Sequence, residues 1–382
     1  MVVRSLLSRA FLRSMATAAD RPATGAAKIL AGSKTISPAG SFRDKFVAAF
    51  DKIKKELLAD CDAFQFTRES REWVSKMLDY NVPGGKLNRG LSVIDSLVLL
   101  KSEDELSRDE IEQAFALGWC IEWLQAYFLV MDDIMDDSHT RRGKPSWFKQ
   151  PNVGLVAAND ALLLRNHVPR ILRKYFHGQL YYFDLRELFD EVEYQTACGQ
   201  MLDLITSPAG KVDLSKYVME TYLRIVKFKT AFYSFYLPVA CALYMSGESD
   251  NSKFESAKQI LLQMGTYFQI QDDFLDCYGH PDVIGKVGTD IQDAKCSWLI
   301  VRAIERADAS QKTRLENNYG KKDNACVEEV KKVYNDLGLA AAFSEYQQTS
   351  YGRILSAIDR EKSTRLQGVL SLFLEKIYKR QS

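Results

Sequence analysis

Asp132-Asp133-Ile134-Met135-Asp136 is echoed at Asp272-Asp273-Phe274-Leu275-Asp276. On a helix, residues four apart share a face and the next residue lies beside them, so each DDxxD projects three carboxylates from one side. Helix energetics disfavours this, because like charges at that spacing repel. The residues leading into each cluster are apolar: Tyr127 to Met131 before the first, and Tyr267, Phe268 and Ile270 before the second. Each cluster thus ends a stripe that would otherwise be buried. Crowded carboxylates need a cation. Hard oxygen ligands suit Mg²⁺, which keeps some waters and shares its shell readily with phosphate oxygens. One such cluster alone reads as a solvated acidic face; two in matching apolar contexts favour the metal reading.

Basic residues accompany the acids. Gly84-Gly85-Lys86-Leu87-Asn88-Arg89-Gly90 sets a lysine and an arginine three apart beside flexible glycines. Side chains and backbone N–H groups there can hold an anion together. Alone the stretch is a weak signal, since it lacks the P-loop pattern. Arg141-Arg142 follows the first aspartate cluster, and Lys229-Thr230, Lys286 and Lys295 accompany the second. Any one of these cations taken singly is an ordinary surface charge. Beside two acid clusters they suggest two polyphosphate substrates, one bound through metal and the other directly by Lys and Arg. No rival catalytic set competes. His139, His167, His177 and His280 form no HExxH, and neither a GxSxG elbow nor a GxGxxG fingerprint occurs.

The elements that must position these groups are helices. From Ser41 onward apolar residues recur at helical spacing, as in Val327, Val330, Val333, Tyr334 and Leu337. Alternating strand patterns are scarce, and no proline lies after Pro281. Breaks fall at Pro83-Gly84-Gly85, Gly143-Lys144-Pro145, Ser207-Pro208-Ala209-Gly210, Ser246-Gly247 and Gly279-His280-Pro281. No fixed-period repeat or low-complexity linker interrupts residues 41–382, so one large helical domain is expected there. The most apolar stretch, Ala231 to Met245, is too short to span a bilayer and reads as a buried core helix. With 51 basic against 50 acidic side chains, a dedicated nucleic-acid binder is disfavoured. Seven dispersed cysteines without a CxxC point to free thiols rather than to zinc or disulfides. Residues 1–40 differ: Arg4, Arg9, Arg13, Arg21, Lys28 and Lys34 face the single acid Asp20. Arg-rich, acid-poor and amphipathic, they have the profile of a mitochondrial transit peptide, with a merely disordered tail as the bland alternative. Met15 offers an internal start for a shorter cytoplasmic form.

The ordered motifs GGKLNRG, QAYFLVMDDIMDDSHTRRG, GQMLDL at 199–204, KFKTAFYSFYLP at 227–238, FQIQDDFLDCYG at 268–279, GKVGTDIQDAKCSW at 285–298 and KIYKR at 376–380 carry a resemblance. From about Ser41 to Arg380 the chain resembles the animal-type, insect-like farnesyl diphosphate synthases, short-chain members of the trans-isoprenyl diphosphate synthase family. The resemblance implies the all-α isoprenoid synthase fold, a single large helical bundle around a central active-site cavity, and a homodimer. It implies Mg²⁺-dependent head-to-tail condensation of isopentenyl diphosphate with dimethylallyl or geranyl diphosphate, through an allylic carbocation. Three Mg²⁺, or Mn²⁺ or Co²⁺ in their place, would be held by Asp132, Asp136 and Asp272, with Asp133, Asp273 and Asp276 completing the metal-binding set. Arg141, Lys229, Lys286 and Lys295 would serve the allylic diphosphate. Lys86, Arg89 and Arg142, with Gln125 close by, would bind isopentenyl diphosphate. Thr230, Gln269 and the main-chain carbonyl of Lys229 would stabilise the cation, and the released diphosphate would take the final proton.

In this family product length is set below the first aspartate motif. Phe128 lies one turn before Asp132 on the same face, with Tyr127 beside it. Two aromatics there would close the pocket floor and favour a C15 product; ordinary core packing is the bland reading, and both can hold. Met131 stands where many family members carry a small residue. Its flexible thioether would shrink the cavity, which makes a geranyl (C10) or mixed product the alternative. A terpene synthase on the same fold is a further rival, opposed by Lys86, Arg89 and Arg142. A non-catalytic partner subunit should lose an aspartate motif, and neither is lost.

Overall fold

The computed structural model describes residues 38–208, 212–279 and 288–378. Lys286 and nearly all of the expected targeting segment lie outside them. Helices dominate, as the apolar spacing predicts. In chain order they are α1 (Pro38–Ala63), α2 (Arg68–Asn81), α3 (Asn88–Lys101), α4 (Arg108–Met135), α5 (Val156–Phe176) and α6 (Tyr182–Thr206). Then α7 (Met219–Val226) runs into a π-helical segment (Lys227–Tyr236) and on into α8 (Leu237–Met245). They are followed by α9 (Asn251–Tyr278), α10 (Trp298–Arg306), α11 (Ala309–Asn318), α12 (Asn324–Asp336), α13 (Leu339–Asp359) and α14 (Thr364–Tyr378). Among the described residues the β structure is one small hairpin, with Thr140 opposite Pro145 and Arg141 opposite Lys144.

Local chemistry sets the helix starts. α4 opens on a capping box: Ser107 Oγ accepts from the Glu110 N–H, and the Glu110 carboxylate accepts from the Ser107 N–H. Two donors that a helix start leaves unpaired are thereby satisfied. Thr67, Asp250 and Asp308 cap α2, α9 and α11 with their side chains.

α4 is the hub of the larger core. Trp119, Cys120, Ile121 and Trp123 are fully buried. Phe46 of α1 stacks on Trp119 at 4.8 Å, and the Trp119 indole N–H donates to the Phe46 carbonyl at 2.8 Å. Truncating one such aromatic to Ala costs about 3–5 kcal/mol, a large share of a domain's net stability. By length and composition α4 could cross a membrane, but 78% of its most apolar window is buried inside the protein, so it is a core helix. Ala231 to Met245 is buried as expected but is not one helix. Its first part belongs to the π segment, and Pro238 stands at the junction where that segment passes into α8. A second core gathers Tyr222 of α7, Trp298 of α10, Tyr334 of α12 and Phe343 of α13 around Ile270 of α9. Tyr267, one turn earlier on α9, belongs to the larger core. The second aspartate cluster therefore begins where the two cores meet.

Candidate active site

α4 and α9 are each 28 residues long, and each ends on its aspartate cluster. Asp132 and Asp133 lie in the last turn of α4, with Asp136 as its C-cap. Asp272, Asp273 and Asp276 occupy the last turns of α9. A helix carries partial negative charge at its carboxyl end, so these carboxylates are disfavoured by the dipole as well as by one another. Neither last turn contains a basic residue. Compensation must come from other elements.

Three cations supply it at the first cluster. Arg141 Nη2 lies 2.5 Å from Asp133 and 3.2 Å from Asp132. Lys229 Nζ reaches Asp132 at 3.2 Å and Asp203 of α6 at 2.7 Å. Lys295 Nζ reaches Asp136 at 2.6 Å and the same Asp203 at 3.3 Å. The result is a run of alternating charge, Asp132–Lys229–Asp203–Lys295–Asp136. The Gln200 amide adds a hydrogen bond to Asp132 at 3.0 Å. Burial pushes every carboxyl here upward. At Asp132 and Asp203 the two lysines outweigh burial and hold the groups below the ordinary carboxylate range. At Asp136 burial outweighs Lys295, and the group sits above that range. Burial would lower Lys229 and Lys295, but the carboxylates, Asp203 foremost, hold both above the usual lysine value.

The middle residue of each motif is placed differently from the expected metal ligand. Asp133 is buried beneath Arg141, which donates to it through Nε at 3.0 Å as well as Nη2. Asp273 is buried too. One of its oxygens accepts from the Tyr222 hydroxyl at 2.7 Å and the Trp298 N–H at 2.8 Å, the other from the Gln269 amide at 3.0 Å. Burial raises Asp273 to about 6. These two carboxylates hold Arg141 and Gln269 in place. Asp276 accepts the Asp290 N–H at 3.0 Å. Asp132, Asp136 and Asp272 are only partly buried, Asp132 and Asp136 being held by side-chain cations, and all three offer hard oxygen donors. Among the described residues no three acids form a ready-made cage. Such a donor set fits Mg²⁺, which takes one or two carboxylates and completes its shell with waters and phosphate oxygens.

The hairpin separates the arginine pair. Arg142 (φ +53°) and Gly143 (φ +72°) form its turn, the paired positive φ of a two-residue hairpin loop. Arg141 meets the aspartates, whereas Arg142 meets the glycine loop and donates to the Pro83 carbonyl at 2.7 Å. A Cβ on Gly85 would come within 3.1 Å of that guanidinium, so the glycine makes room for it. Arg89 lies over the Tyr233 ring at 4.9 Å and donates to Ser234 Oγ at 2.9 Å. Neither Arg89 nor Arg142 has a carboxylate ion-pair partner among the described residues. The Lys86 carbonyl accepts from Arg43 at 3.2 Å. Gln125, two turns before Asp132 on the same face, keeps its Oε1 buried without a partner.

Between α4, α6 and the π segment lies a cavity of about 370 Å³. Tyr127, Phe128, Met131, Met201 and Tyr233 give it apolar walls, and Asp132, Thr196, Gln200, Lys229 and Thr230 are its polar members. Phe128 packs edge-on against Tyr233 at 5.5 Å and tilted against Tyr127 at 5.1 Å. π-Helical turns are rare and favour functional sites. This one is clamped by two glycines: a Cβ at Gly199 of α6 would lie 2.1 Å from the Lys229 nitrogen, and one at Gly265 of α9 would lie 2.4 Å from Ala231 Cβ. Thr230 Oγ1 donates to Gln269 Oε1 at 3.3 Å, and Asp273 fixes the other end of that amide. Four non-glycine residues with positive φ adjoin or belong to the candidate set: Leu87, Asp137, Arg142 and Ala294. Each costs about 1–2 kcal/mol in that conformation, the kind of strain that gathers at functional sites.

Of the expected residues, Lys286 lies outside the described chain. Asp132, Asp133, Asp136, Arg141, Lys229 and Lys295 form one ion-paired cluster. Tyr127, Phe128, Met131 and Thr230 line the cavity, Gln269 meets Thr230 and Asp273, and Arg142 meets the glycine loop. Asp203 is the functional residue that sequence reasoning missed. Its signal was present in GQMLDL, where Gln200 and Asp203 stand three apart on one helix face between apolar residues.

The polyprenyl synthetase family model matches residues 71–337, and the chain belongs to that family. Farnesyl pyrophosphate synthase of Artemisia annua is 61% identical over 339 residues, spanning 89% of this chain and 98% of that protein. Farnesyl pyrophosphate synthase of Zea mays is 59% identical over 343 residues, spanning 90% and 97%. Among solved structures, T. brucei farnesyl diphosphate synthase complexed with risedronate matches with a TM-score of 0.82 at 34% identity, covering 89% of this chain and 99% of that one. The architecture is thus the all-α isoprenoid synthase fold, and the family is generally Mg²⁺-dependent. The relatives near 60% identity are plant proteins, so the expected animal-type, insect-like affinity is not supported and only the family-level resemblance stands.

Proposed function

We propose that the chain is a farnesyl diphosphate synthase, a prenyltransferase that condenses isopentenyl diphosphate head-to-tail with dimethylallyl and then geranyl diphosphate. The division of Arg141 from Arg142 across one hairpin turn carries the reading. On one side is an anion site rich in carboxylates; on the other, among the described residues, Arg89 and Arg142 form no salt bridge with a carboxylate. A metal-borne allylic diphosphate suits the first, and a diphosphate held directly by cations suits the second. The apolar cavity beside Asp132 suits a prenyl chain, and the names of the Artemisia annua and Zea mays relatives support the same activity.

On this reading Asp132, Asp136 and Asp272 hold Mg²⁺, three ions per site, with Mn²⁺ or Co²⁺ as substitutes. When bound, the metal supplies neutralisation of the charge that develops on the leaving diphosphate. Arg141, Lys229 and Lys295, with Lys286, turn to the phosphate oxygens. The allylic C–O bond breaks and its electron pair leaves with the diphosphate. Thr230 Oγ1, Gln269 Oε1 and the Lys229 carbonyl stabilise the carbocation, while Asp273 keeps Gln269 oriented. Lys86, Arg89 and Arg142, with Gln125, hold isopentenyl diphosphate so that its double bond forms the new C–C bond. The departing diphosphate accepts the proton that the product cation loses.

Met131 lines the cavity beside Tyr127 and Phe128, which favours a geranyl or mixed C10/C15 product as the second reading. The proposed assembly is a homodimer: Leu162, Phe183, Tyr194, Met201 and Ile205 on α5 and α6 are each more than half exposed, an apolar surface of the kind that marks association. Residues 1–40 are proposed as a mitochondrial targeting segment, with Met15 as the start of a shorter cytoplasmic form. A carboxyl-terminal tag found in one compartment, from one initiation site, would remove that pair of forms.

The decisive experiment incubates protein lacking residues 1–40 with dimethylallyl and isopentenyl diphosphates plus Mg²⁺, and with geranyl diphosphate as starter in parallel. Products are dephosphorylated and resolved by chain length. Mainly C15 from both starters is expected. C10 from the first run with poor use of geranyl diphosphate identifies a geranyl synthase. Hydrocarbon or alcohol from farnesyl diphosphate alone points to a terpene synthase. No condensation with Mg²⁺, Mn²⁺ or Co²⁺ refutes the proposal.

A further inference from the structure

We propose that Glu122 is a positioning residue for the directly bound diphosphate, acting through the amino end of α3. The inference rests on the reading of Lys86, Arg89 and Arg142 as the isopentenyl diphosphate site. Glu122 stands on α4, 1% exposed, inside the larger apolar core. A carboxylate there is costly unless it is hydrogen-bonded, and burial lifts its carboxyl above the ordinary range. Its partner is the Gly90 N–H, which donates to Oε1 at 2.8 Å. Gly90 belongs to the first turn of α3, so this N–H is one of those a helix start leaves unpaired. α3 has no side-chain cap of its own, because Leu87 occupies the N-cap at φ +55° and cannot accept a hydrogen bond. Glu122 therefore caps α3 from a neighbouring helix. Its negative charge also faces the positive end of the α3 dipole.

The turn held in this way is the turn that carries the anion site. Lys86 precedes it, Arg89 lies within it, and Arg142 rests against Gly85 just ahead of it. The approach of α3 to α4 is sterically tight. A Cβ on Gly90 would come within 2.6 Å of the Phe46 ring, 2.8 Å of the Gly118 carbonyl and 3.0 Å of Glu122 Cγ. Arg89 and Arg142 both lie close enough to lower the Glu122 carboxyl electrostatically. Among the described residues neither donates a hydrogen bond to it, so their N–H groups remain directed to other acceptors. Glu122 thus sets where the cations stand without occupying them.

Two variants separate the roles. Glu122→Met fills the volume but offers no acceptor; Glu122→Gln keeps a neutral acceptor at the same place. Calorimetric titration of isopentenyl diphosphate in EDTA reads the site without metal or turnover. KM values for isopentenyl and geranyl diphosphates with Mg²⁺ read it in the working enzyme. Glu122→Met should weaken isopentenyl diphosphate by about tenfold or more in both assays, the scale of a lost charge-assisted hydrogen bond. The KM for geranyl diphosphate and kcat should stay within about threefold, and Glu122→Gln should recover part of the loss. Equal loss for both substrates, or Glu122→Gln as poor as Glu122→Met, overturns the proposal. Arg142→Gln is measured alongside. If it weakens isopentenyl diphosphate while Glu122→Met does not, the Glu122 proposal falls and the site reading stands. If neither variant weakens it, the site reading falls as well. Should the Met variant not fold, Glu122→Asp withdraws the carboxylate by one methylene; unchanged affinity there overturns the proposal equally.

Discussion

Asp203 offers the sharpest test of how the carboxylates proposed to bind metal are kept ready. Without metal, Lys229 bridges Asp132 and Asp203, and Lys295 bridges Asp136 and Asp203. For Mg²⁺ to bind, both lysines must release Asp132 and Asp136. Asp203 gives each lysine a carboxylate to keep when it does so. In Asp203→Asn that second carboxylate is gone, and the lysines compete with the metal at full strength. A charge-assisted hydrogen bond is worth about 1.5–3 kcal/mol, so the Mg²⁺ concentration at half-maximal activity should rise about 10- to 100-fold. The assay is C15 formation against free Mg²⁺ at saturating substrates, with thermal unfolding in EDTA as a check on the fold. Lys229 and Lys295 retain Asp132 and Asp136 in the variant, so its metal-free form should still unfold cooperatively. A half-saturation point within twofold of the parent protein, in a folded variant, would refute the reasoning.

Three further outcomes are expected. Met131→Ala should open room for one or two methylenes of prenyl chain, and at about 0.8 kcal/mol per buried methylene the C15-to-C10 ratio should rise about 4- to 15-fold; an unchanged ratio removes Met131 from chain-length control. Gly199→Ala would drive a methyl into the Lys229 backbone. A shift of about 1 Å there should cut kcat about a hundredfold, read by steady-state kinetics, and near-normal turnover would show that the π segment need not be held. Burial, reinforced by Arg170, pushes His167 down from 6.5 to about 4. Between those values the unfolded chain binds a proton that the native chain does not, so stability is lost as pH falls through that window. The loss reaches about 3 kcal/mol in full. Thermal midpoints measured from pH 7 to 4 should therefore fall more steeply for the parent than for His167→Phe, and parallel curves would contradict this.

The DDxxD spacing is enough to put each set of aspartates at the end of an apolar helical stripe, as α4 and α9 show. What spacing does not decide is which of two adjacent aspartates turns inward. That depends on partners distant in sequence: Arg141 for Asp133, and Tyr222 and the Trp298 N–H for Asp273. The same limit hid Asp203, whose meaning lies in two lysines from other elements. The split of Arg141 from Arg142 was written in the Arg142-Gly143 pair, but it needs a positive φ at a non-glycine residue to appear. Within Ala231 to Met245, hydrophobicity predicts burial correctly. It carries no signal for a π turn, which is set by the close approach of Gly199 and Gly265 from two other helices.

On the proposed reading, helix polarity accounts for two diphosphates being recognised by different chemistry. Both aspartate clusters stand at carboxyl ends, where each charge is disfavoured by about 0.3–1 kcal/mol. At an amino end the same aspartates would be more comfortable, yet the free N–H groups would bind them and also bind phosphate directly. At a carboxyl end the helix itself offers no backbone donor, so its carboxylates are met by other elements, as the Trp298 and Asp290 N–H groups meet Asp273 and Asp276. On the proposed reading a phosphate approaches through the bound cation or through Arg141, Lys229 and Lys295. The Lys86–Arg89 turn is the reverse case. It opens α3 at its amino end, where the dipole favours an anion, although Glu122 already takes the Gly90 N–H. On that reading, a helix end of one polarity receives the substrate whose diphosphate must leave, and an end of the other polarity receives the substrate whose diphosphate must stay.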